Sequence, residues 1–539
     1  MYTLGIHGNF GTATHDAAAV LIRDNQIVAA GEEERFTRYK HAVGILPDYA
    51  IKYCLDHAGI AMKDVDYIAF PAATWTNFDS RLRSYLWYTF DFVPKIEYID
   101  HHTAHAASSF LLSGFPSALV LTLDLSGDGV SCGIFRGSQN RLQLVDTITF
   151  PDSLGLFAAF ITQYLGFRSN HDEYKVMGLS AYGKPTIDLS RILRFTNGNL
   201  KFNQALLHPE VLKRYPVFHT SQLPMFRDTT YSFLPQRRLK NEPLLSVHKD
   251  LAASAQKVIE DAIFALIHKY KTQEDTYLCM AGGVAENSVA NGKIAQSHLF
   301  NDVYVAPVCS DAGSALGAAV YVATQNGFHF EKVIDTKWGP GFTNAYIQKV
   351  LESYSVSYTY TDDVSGQTAR LLTKGNIVGW FEGRMEFGSR ALGGRSILAD
   401  PRSAKMKERV NTIKKREAFR PFGSSILDEH HSSLFATSHF SPFMSFTIQT
   451  TKKGTHMIPA SVHIDGTSRV QSVGKNSSLY RKLLENFYDQ TGVPALLNTS
   501  FNSSWEPIVM SPEQALAFFY SSALDVLVMG KYMIRKKNV

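Results

Sequence analysis

The sequence predicts an α/β protein of two domains. Strand-like runs joined by tight turns occur at 3–32 and again at 118–137, which indicates an internal duplication. A stretch rich in glycine and turn formers at 335–345 separates this half from a region with denser arginine, lysine and glycine. We therefore expect one domain at 1–340 and a second α/β domain at 341–539, each of ordinary size for a domain.

The segments between the duplicated strands and this break have clear periodicities. Residues 249–270 carry apolar side chains at helical spacing, which predicts a long helix with one buried face. Two units of strand, glycine turn and helix follow, at 277–294 and 303–323. The second unit places Asp311 near the beginning of its helix.

The composition narrows the class of protein. Hydrophobic residues make up 45% of the 539 residues and charged residues 19%, as is typical of a globular protein in water. A net charge of +5, scattered along the chain, predicts no nucleic-acid partner. We also expect no membrane span and no signal peptide. The four cysteines fit neither a disulfide framework nor a CxxC zinc motif, which favours a cytoplasmic protein.

Three histidines lie close together in the stretch IDHHTAHAASSF at 99–110. On a helix, His101 and His105 share a face and form a natural pair of metal ligands, whereas His102 points about 100° away, toward a substrate or solvent. His102 and His105 form a second, less well aligned pair. The alternative is an ordinary helix N-terminus with exposed histidines and Asp100 as its N-cap.

Two aspartates are suited to complete such a metal site. Asp124 lies in the middle of an apolar strand, where an unpaired carboxylate is costly, and Asp311 begins a helix after another apolar strand. Two histidines with carboxylates suit a divalent first-row metal such as iron or zinc. Asp128 fits a turn-capping role better than Asp124 does.

A His-Asp pair follows the glycine- and threonine-rich stretch that begins at residue 11. His15 is a candidate general base whose tautomer is held by a neighbour, and Asp16 is a candidate ligand for a metal or nucleotide. The alternative is a polar turn without chemistry.

A glycine turn between a strand and a helix can bind phosphate through backbone N–H groups. Gly282 and Gly283 stand in this position, with Asn287 able to bond a ribose or a base. Lys175 lies in an apolar run, where a lysine needs a partner or a ligand. The charged run at 32–41 is either a solvated face or part of a polar substrate site.

A basic cluster interleaved with glycines predicts a phosphate-binding pocket in the second domain. Apolar residues between its charges favour a folded anion pocket over a solvated basic face or an RNA-binding patch. The cluster comprises Arg384, Arg390, Arg395, Arg402, Lys414, Lys415, Arg416 and Arg420. Polar residues at the edges of later strand-like runs are candidates to complete this pocket: His463, Arg469, Asn498 and Ser500.

Together these motifs resemble those of the O-carbamoyltransferases of antibiotic, nodulation-factor and related biosynthesis. The resemblance covers nearly the whole chain. It rests on the stretches HDAAAVL, EEERFTRYKH, DHHTAHAASSF, EYKVMGLSAYGKP, GRMEFGSRALGGRSILADPR, KREAFRPF, HIDGTSRVQ and LLNTSFN.

The resemblance implies a duplicated N-terminal domain of the actin/sugar-kinase type and a C-terminal YrdC-like α/β domain. It implies that the C-terminal domain makes carbamoyl-adenylate from carbamoyl phosphate and ATP. The N-terminal domain then transfers the carbamoyl group to the hydroxyl of a small-molecule acceptor, beside a bound Fe²⁺ or other divalent metal. The family also suggests a homodimer.

The resemblance assigns roles to residues of this sequence. The implied metal ligands are His101, His105, Asp124 and Asp311. The implied catalytic residues are His15 beside the acceptor and Arg390, Lys414, Arg416 and Arg420 in the second site. The candidates for binding nucleotide or phosphate are Asp16, Lys175, Gly282, Gly283, Asn287, Arg384, Arg395, His463, Arg469, Asn498 and Ser500.

Local departures from the family pattern concern the second pocket. Gly394 stands where asparagine is usual, Gly423 and Ser424 where Ala-Pro is usual, and Trp505 precedes Glu506 where glycine is common. The acceptor itself is not identified by the sequence.

Three other functions compete with carbamoyl transfer. A kinase of the same N-terminal fold leaves the basic cluster unused. A tRNA threonylcarbamoyl transferase conflicts with the weak net charge. A metal-binding or regulatory scaffold predicts metal uptake without release of AMP.

Overall fold

The protein folds into two compact units. The first unit comprises residues 1–33 and 41–333, and the second comprises 34–40 and 334–539. The division near residue 333 lies close to the predicted boundary at 340. The structure, a computed structural model, describes residues 1–10, 14–75, 78–196, 199–212, 224–437, 439–475 and 478–536.

The first unit begins with a five-stranded sheet. Its strands are β1 (Tyr2–His7), β2 (Ala18–Arg23), β3 (Gln26–Glu32), β4 (Tyr67–Phe70) and β5 (Lys95–Tyr98). Their order across the sheet is β3-β2-β1-β4-β5. β2 pairs antiparallel with both β1 and β3, whereas β4 and β5 extend the sheet in parallel from β1.

A second sheet in the first unit repeats this arrangement. Its strands are β6 (Ser117–Gly127), β7 (Val130–Ser138), β8 (Arg141–Thr149), β11 (Tyr277–Ala281) and β12 (Asp302–Val305), in the order β12-β11-β6-β7-β8. Three antiparallel strands are again followed by two parallel ones. The internal duplication and the actin/sugar-kinase type of fold predicted for the first unit are confirmed. β9 (Leu193–Thr196) and β10 (Asn199–Phe202) form a separate hairpin.

Helices accompany both sheets. They are α2 (Asp48–Ala58), α3 (Phe78–Phe90), α4 (His101–Phe110), α5 (Leu154–Tyr164), α6 (Glu173–Ser180), α7 (Ser246–Tyr270), α8 (Ser288–Gln296) and α9 (Asp311–Gln325). A short helix that precedes them in the chain, α1 (Glu33–Thr37), lies almost entirely in a segment of the second unit. The predicted helix at 249–270 is confirmed, and it begins three residues earlier than its apolar pattern. Within the described chain no helix is long and apolar enough to cross a membrane.

Two glycines allow the elements that carry the candidate metal ligands to lie close together. A Cβ atom on Gly5 of β1 would lie 2.0 Å from the carbonyl oxygen of Ala315 in α9. A Cβ atom on Gly317 of α9 would lie 1.8 Å from the carbonyl oxygen of Ala104 in α4. Since such distances are impossible for real side chains, glycine at both positions sets how closely α9 approaches β1 and α4.

The second unit is built on a nine-stranded mixed sheet. Its strands are β13 (Thr359–Tyr360), β14 (Val378–Phe381), β15 (Arg395–Ala399), β16 (Gly423–Leu427), β17 (Phe446–Gln449), β18 (Thr467–Val473), β19 (Ala495–Ser500), β20 (Val526–Met529) and β21 (Tyr532–Arg535). Their order is β13-β21-β20-β14-β15-β19-β16-β18-β17. The predicted C-terminal α/β domain is confirmed.

Helices of the second unit enclose an apolar core with this sheet. They are α10 (Asn344–Ser353), α11 (Val364–Thr373), α12 (Lys405–Lys414), α13 (His431–Leu434), α14 (Lys452–Met457), α15 (Leu479–Thr491) and α16 (Pro512–Ser521). The core includes Phe381, Ile397, Val410, Leu497 and Phe519. Helix α1 begins at the last residue of the first unit's N-terminal segment and continues into segment 34–40, which belongs to the second unit.

A buried arginine connects several loops of the second unit. The guanidinium of Arg395 is completely buried and lies 3.6 Å from the centre of the Phe381 ring, on the paired strand β14. It donates hydrogen bonds of 3.0–3.3 Å to backbone carbonyls. Their residues are Pro340, Glu382, Gly383, Gly394 and Met510. Arg395 therefore has a structural role, which corrects its interpretation as a phosphate ligand.

We predict that Arg395→Leu destabilises the second unit by about 3–5 kcal/mol, because the change leaves several buried carbonyls without a donor. Arg402→Leu is the matched control, since Arg402 is partly exposed and pairs with Asp400, a contact worth about 1 kcal/mol or less. Hydrogen exchange of peptides from β14 and β15 measures the loss of protection. Equal protection of these strands in both variants would refute the structural role.

Candidate metal centre and anion site

Four ligand-type side chains converge inside the first unit. His101 and His105 lie one turn apart on α4, Asp124 lies on β6, and Asp311 is the first residue of α9. One ligand atom from each residue lies within 4.8 Å of all the others. His101 Nε2 is 3.0 Å from Asp124 Oδ2 and 3.7 Å from Asp311 Oδ1. The four residues named from the sequence are thus brought together.

The chemistry of this cluster fits a divalent cation. His105 is completely buried, and its Nε2 lies 3.4 Å from Asp124 Oδ2 and 3.6 Å from Asp311 Oδ1. Among the described residues, neither ring nitrogen of His105 has a hydrogen-bond partner within standard geometry. A buried imidazole nitrogen that faces two carboxylates suits a first-row metal with mixed nitrogen and oxygen ligands.

Electrostatics around the cluster also favours a cation. Burial lowers the pKa of His105, but the carboxylates of Asp124 and Asp311 outweigh this effect and raise the pKa to about 9. Burial and the charge of Asp124 raise the pKa of Asp311, but His105, His101 and His7 outweigh them and lower it to about 2. Both aspartates therefore stay ionised, and they require positive charge beside them.

Two neighbouring residues support the cluster without joining it. His102 is buried, with Nδ1 2.7 Å from Thr122 Oγ1 and Nε2 2.9 Å from the Val130 carbonyl oxygen. Burial lowers its pKa to about 4. His102 therefore faces the protein interior, which corrects the expectation that it faces a substrate or solvent. Asp128 accepts a hydrogen bond from the backbone N–H of His101, in agreement with its predicted capping role.

The predicted glycine turn lies directly against this cluster. The Gly283 N–H donates to Asp124 Oδ1 at 3.3 Å, and a Cβ atom on Gly282 would lie 2.4 Å from the Leu123 carbonyl oxygen.

Asn287 has a different role from the predicted ribose contact. Its side chain caps α8 through the Ala290 N–H and exchanges hydrogen bonds with Gln256.

His15 and Asp16 form an ion pair at the end of a loop of the first unit. His15 Nδ1 lies 3.1 Å from Asp16 Oδ2, and His41 Nδ1 lies 2.8 Å from Asp16 Oδ1. Burial lowers the pKa of His15, but Asp16 outweighs it and raises the pKa to about 10. Both oxygens of Asp16 thus bind imidazoles, and not the metal or nucleotide predicted for this carboxylate.

Lys175 has a protein partner. Its Nζ lies 3.1 Å from Asp172 Oδ1 and 5.6 Å from the centre of the Phe167 ring. Asp172 in turn lies 3.3 Å from Nδ1 of His171. The lysine that the sequence marks as requiring a partner therefore has one in an ion pair of the first unit.

The second unit places its cations around a buried lysine. Lys414 Nζ donates to Ser500 Oγ at 3.0 Å and to Asn502 Oδ1 at 2.7 Å. Burial holds the pKa of Lys414 well below its usual value, and the positive charges of Arg416, Arg420 and Lys40 add to this effect. Arg416, Arg420 and Lys40 thus lie close enough to Lys414 to act on its pKa, and all four belong to the second unit.

Two arginines of this group lie on the loop after α12. Arg416 donates from Nε to Asn411 Oδ1 at 2.7 Å and packs on the Phe422 ring, and Arg420 lies 3.5 Å from Glu417. His463 Nε2 lies 3.2 Å from the carbonyl oxygen of Phe419 on the same loop. The predicted residues Lys414, Arg416, Arg420, Ser500 and His463 are therefore gathered around one loop.

Segment 34–40 contributes residues that sequence motifs alone did not assign. Arg38 donates to the carbonyl oxygens of Pro507 and Ile508 at 2.7 Å, and Lys40 donates to that of Ser504 at 2.8 Å. Both basic residues thus bind the loop that follows β19. The signal for them was the charged run at 32–41, which the sequence left open between a solvated face and a substrate site.

The other basic residues named from the sequence have varied surroundings. Arg384 donates from Nε to the Gly339 carbonyl oxygen at 3.0 Å and from Nη2 to the Trp338 carbonyl oxygen. Its guanidinium therefore binds the backbone at residues 338–339. Arg390 is half-buried on the loop before β15. Arg469 lies on β18 beside Gly423 of β16. Asn498 is buried and donates to the Ala391 carbonyl and to Ser425 Oγ, beneath the same loop as Arg390.

The departures from the family pattern are accommodated locally. A Cβ atom on Gly394 would lie 2.9 Å from Glu386 Oε2, so a larger side chain there would displace this buried carboxylate. Trp505 is exposed and has the Lys415 ammonium 5.1 Å from its ring centre.

Solved structures with some likeness to the chain cover about three fifths of it. The (R)-2-hydroxyglutaryl-CoA dehydratase component A of Acidaminococcus fermentans covers 60% of this chain and 98% of its own, with 16% identity and a TM-score of 0.33. HypF of T. kodakarensis covers 60% of this chain and 48% of its own, with 12% identity and a TM-score of 0.33.

Sequence comparisons give a closer relationship. Nodulation protein NolNO of Sinorhizobium fredii is 37% identical over 98% of this chain and 80% of its own length. Nodulation protein NolO of Bradyrhizobium diazoefficiens is 37% identical over 81% of this chain and 79% of its own. The family model described as carbamoyltransferase N-terminus matches residues 4–89 and 86–320, and that described as carbamoyltransferase C-terminus matches 369–536. The chain therefore belongs to the carbamoyltransferase family.

Proposed function

We propose that this carbamoyltransferase uses ATP to move the carbamoyl group of carbamoyl phosphate, through carbamoyl-adenylate, to a hydroxyl of a small natural-product or sugar acceptor. One observation supports the proposal: each unit gathers a chemically distinct set of ionisable side chains. The first unit holds the cluster of two histidines and two aspartates, and the second holds the cluster of four cations. The YrdC-like character of the second domain and both sets of site residues are part of this proposal.

The cations of the second unit are suited to phosphate chemistry. Lys414, Arg416, Arg420 and Lys40 neutralise the negative charge of carbamoyl phosphate and of the ATP phosphates. Water releases phosphate from carbamoyl phosphate and leaves carbamate. A carbamate oxygen then attacks the α-phosphorus of ATP, diphosphate leaves, and carbamoyl-adenylate forms.

The four-residue cluster of the first unit is the proposed metal site. His101, His105, Asp124 and Asp311 would hold the ion, with Fe²⁺ as the first candidate and other divalent metals as alternatives. A divalent cation held there supplies Lewis-acid charge to nucleotide phosphates and to the carbamoyl carbonyl group. The Gly283 N–H, which donates to Asp124 Oδ1 at 3.3 Å, would help to hold this carboxylate in place.

His15 is the proposed base for the transfer step. The acceptor oxygen attacks the carbamoyl carbon, the bond from that carbon to the phosphate oxygen breaks, and AMP leaves. Nε2 of His15 takes the hydroxyl proton, while Nδ1 stays bonded to Asp16. Since the charged neighbours raise the pKa of His15 to about 10, the base role requires that loading of the site lowers this pKa.

We predict that the full-length protein releases AMP only when ATP and carbamoyl phosphate are supplied together. Mass spectrometry of a panel of hydroxylated sugars and natural products, incubated with both substrates, should show gain of a carbamoyl group in one class. Release of ADP with phosphorylation of an acceptor, in the absence of carbamoyl phosphate, would instead support the kinase alternative.

We predict that Asp124→Asn removes the bound metal, because it removes a charged ligand oxygen from the cluster. Asp128→Asn is the matched control, since Asp128 lies nearby but accepts only N–H and hydroxyl hydrogen bonds among the described contacts. Elemental analysis of both purified variants and of the wild type gives the metal content. Full metal content in Asp124→Asn would exclude this carboxylate as a ligand.

We predict that Arg416→Ala and Arg420→Ala each slow carbamoyl-adenylate formation by about 10²-fold or more, because a charged donor to the reacting phosphates is lost. Arg409→Ala is the control on neighbouring α12, where Arg409 forms a surface pair with Asp525. Exchange of labelled diphosphate into ATP, with carbamoyl phosphate present, measures this half-reaction without an acceptor. Wild-type exchange rates in both variants would remove these arginines from the site.

A further inference from the structure

The carboxylate of Asp16 is shared between two histidines that lie 26 residues apart in sequence. Its Oδ2 binds Nδ1 of His15 at 3.1 Å, and its Oδ1 binds Nδ1 of His41 at 2.8 Å. The carboxyl pKa is held well below its ordinary value, because both imidazoles outweigh the effect of burial. An ionised carboxylate only accepts hydrogen bonds, so both Nδ1 atoms carry the hydrogen. His15 thereby directs Nε2 away from Asp16.

The backbone holds this arrangement in an unfavourable conformation. Asp16 and His41 have φ angles of 59° and 64°, in the left-handed region that costs a residue with a side chain about 1–2 kcal/mol. The two residues hold each other, since the Asp16 N–H donates to the His41 carbonyl at 2.6 Å. The Gly44 N–H donates to the Thr14 carbonyl at 3.0 Å and closes the same pair of loops. Such strain is characteristic of functional sites.

A third histidine supports His41 from the other side. The rings of His41 and His171 meet edge to face with 4.3 Å between their centres. His171 is itself held by Asp172, and Asp172 pairs with Lys175. The charged and titratable groups near the Asp16–His41 pair include His15, His171, Asp172 and Lys175, and His7, Asp124 and Asp311 also act electrostatically on this cluster.

We propose that His41 is a positioning residue for carbamoyl transfer: its hydrogen bond to Oδ1 fixes the Asp16 carboxylate, so that His15 presents Nε2 to the acceptor hydroxyl. With one imidazole only, the carboxylate is able to rotate and the His15 ring loses its orientation. The inference rests on the proposed function of His15. It predicts that a donor at position 41 is essential, whereas ring volume alone is insufficient.

The substitutions His41→Asn and His41→Phe separate the effect of the hydrogen-bond donor at position 41 from the effect of the ring volume there. Asparagine keeps an N–H group close to the position of Nδ1, and phenylalanine keeps an aromatic ring without a donor. His57→Phe is the matched control, because His57 is an exposed histidine on α2. The variants Asp16→Asn and His15→Asn show which proton NMR signals come from imidazole N–H groups bonded to the Asp16 carboxylate.

Proton NMR of the full-length protein reports on the bond directly, because imidazole N–H groups bonded to a carboxylate resonate far downfield. We expect two such signals that depend on Asp16, from His15 and His41. The His15 signal should persist in His41→Asn and disappear in His41→Phe. Persistence of the His15 signal in His41→Phe, its loss in His41→Asn, or its absence from the wild type would each overturn the proposal.

Activity measurements complete the test. With ATP, carbamoyl phosphate and glycerol as a minimal probe alcohol, His41→Phe should lower kcat for carbamoyl transfer by about 10²-fold, with KM for glycerol unchanged and diphosphate exchange intact. His41→Asn should restore most of the rate. Equal rates in wild type and His41→Phe would overturn the positioning role. If wild-type protein carbamoylates no alcohol at all, the proposed function fails, while the NMR signals still decide whether His41 fixes Asp16.

Discussion

Two carboxylates inside the first unit impose the constraint on which its architecture depends. Asp124 and Asp311 are largely buried, and the desolvation of two like charges is affordable only beside cationic partners. The helix that carries His101 and His105 must therefore meet β6 and the beginning of α9 at one point. Gly317 allows α9 to approach α4 closely enough for this, and Gly5 does the same between β1 and α9. The packing of three elements thus follows from charge balance as much as from apolar contact.

The duplication explains why the groups of the first unit lie where they do. The connection between β1 and β2 carries His15 and Asp16, and the corresponding hairpin of the second repeat, β6 to β7, carries Asp124 and Asp128. The first repeat therefore places an imidazole and a carboxylate in this part of its sheet, and the second places two carboxylates there. Two sheets of similar topology thus carry different ionisable side chains near corresponding connections, as is common for loops on a shared scaffold.

Local patterns predicted much of this structure. Helical spacing identified His101 and His105, the residue before them caps the helix through Thr103 as expected, and the glycine turn at 282–283 lies where strand and helix signals placed it. The sequence could not reveal whether an arginine contacts phosphate or backbone. Arg395 belongs to a motif of basic residues, but its donors reach carbonyls at positions 340 and 510, far away in sequence. The side chain of Asn287 likewise caps a helix and pairs with Gln256, which lies 31 residues away in sequence.

Segment 34–40 has a consequence for how the polypeptide reaches its native state. Its residues are synthesised 353 residues before Gly388 and 464–470 residues before the loop at 504–508, both of which the segment binds in the second unit. Since domains generally fold from the N-terminus as synthesis proceeds, this segment stays without its partners while residues 1–33 and 41–333 of the first unit are made and fold. The order of biogenesis is therefore not simply one unit after the other. The second unit is complete only when segment 34–40, made early in synthesis, binds the loop at 504–508, which is made much later.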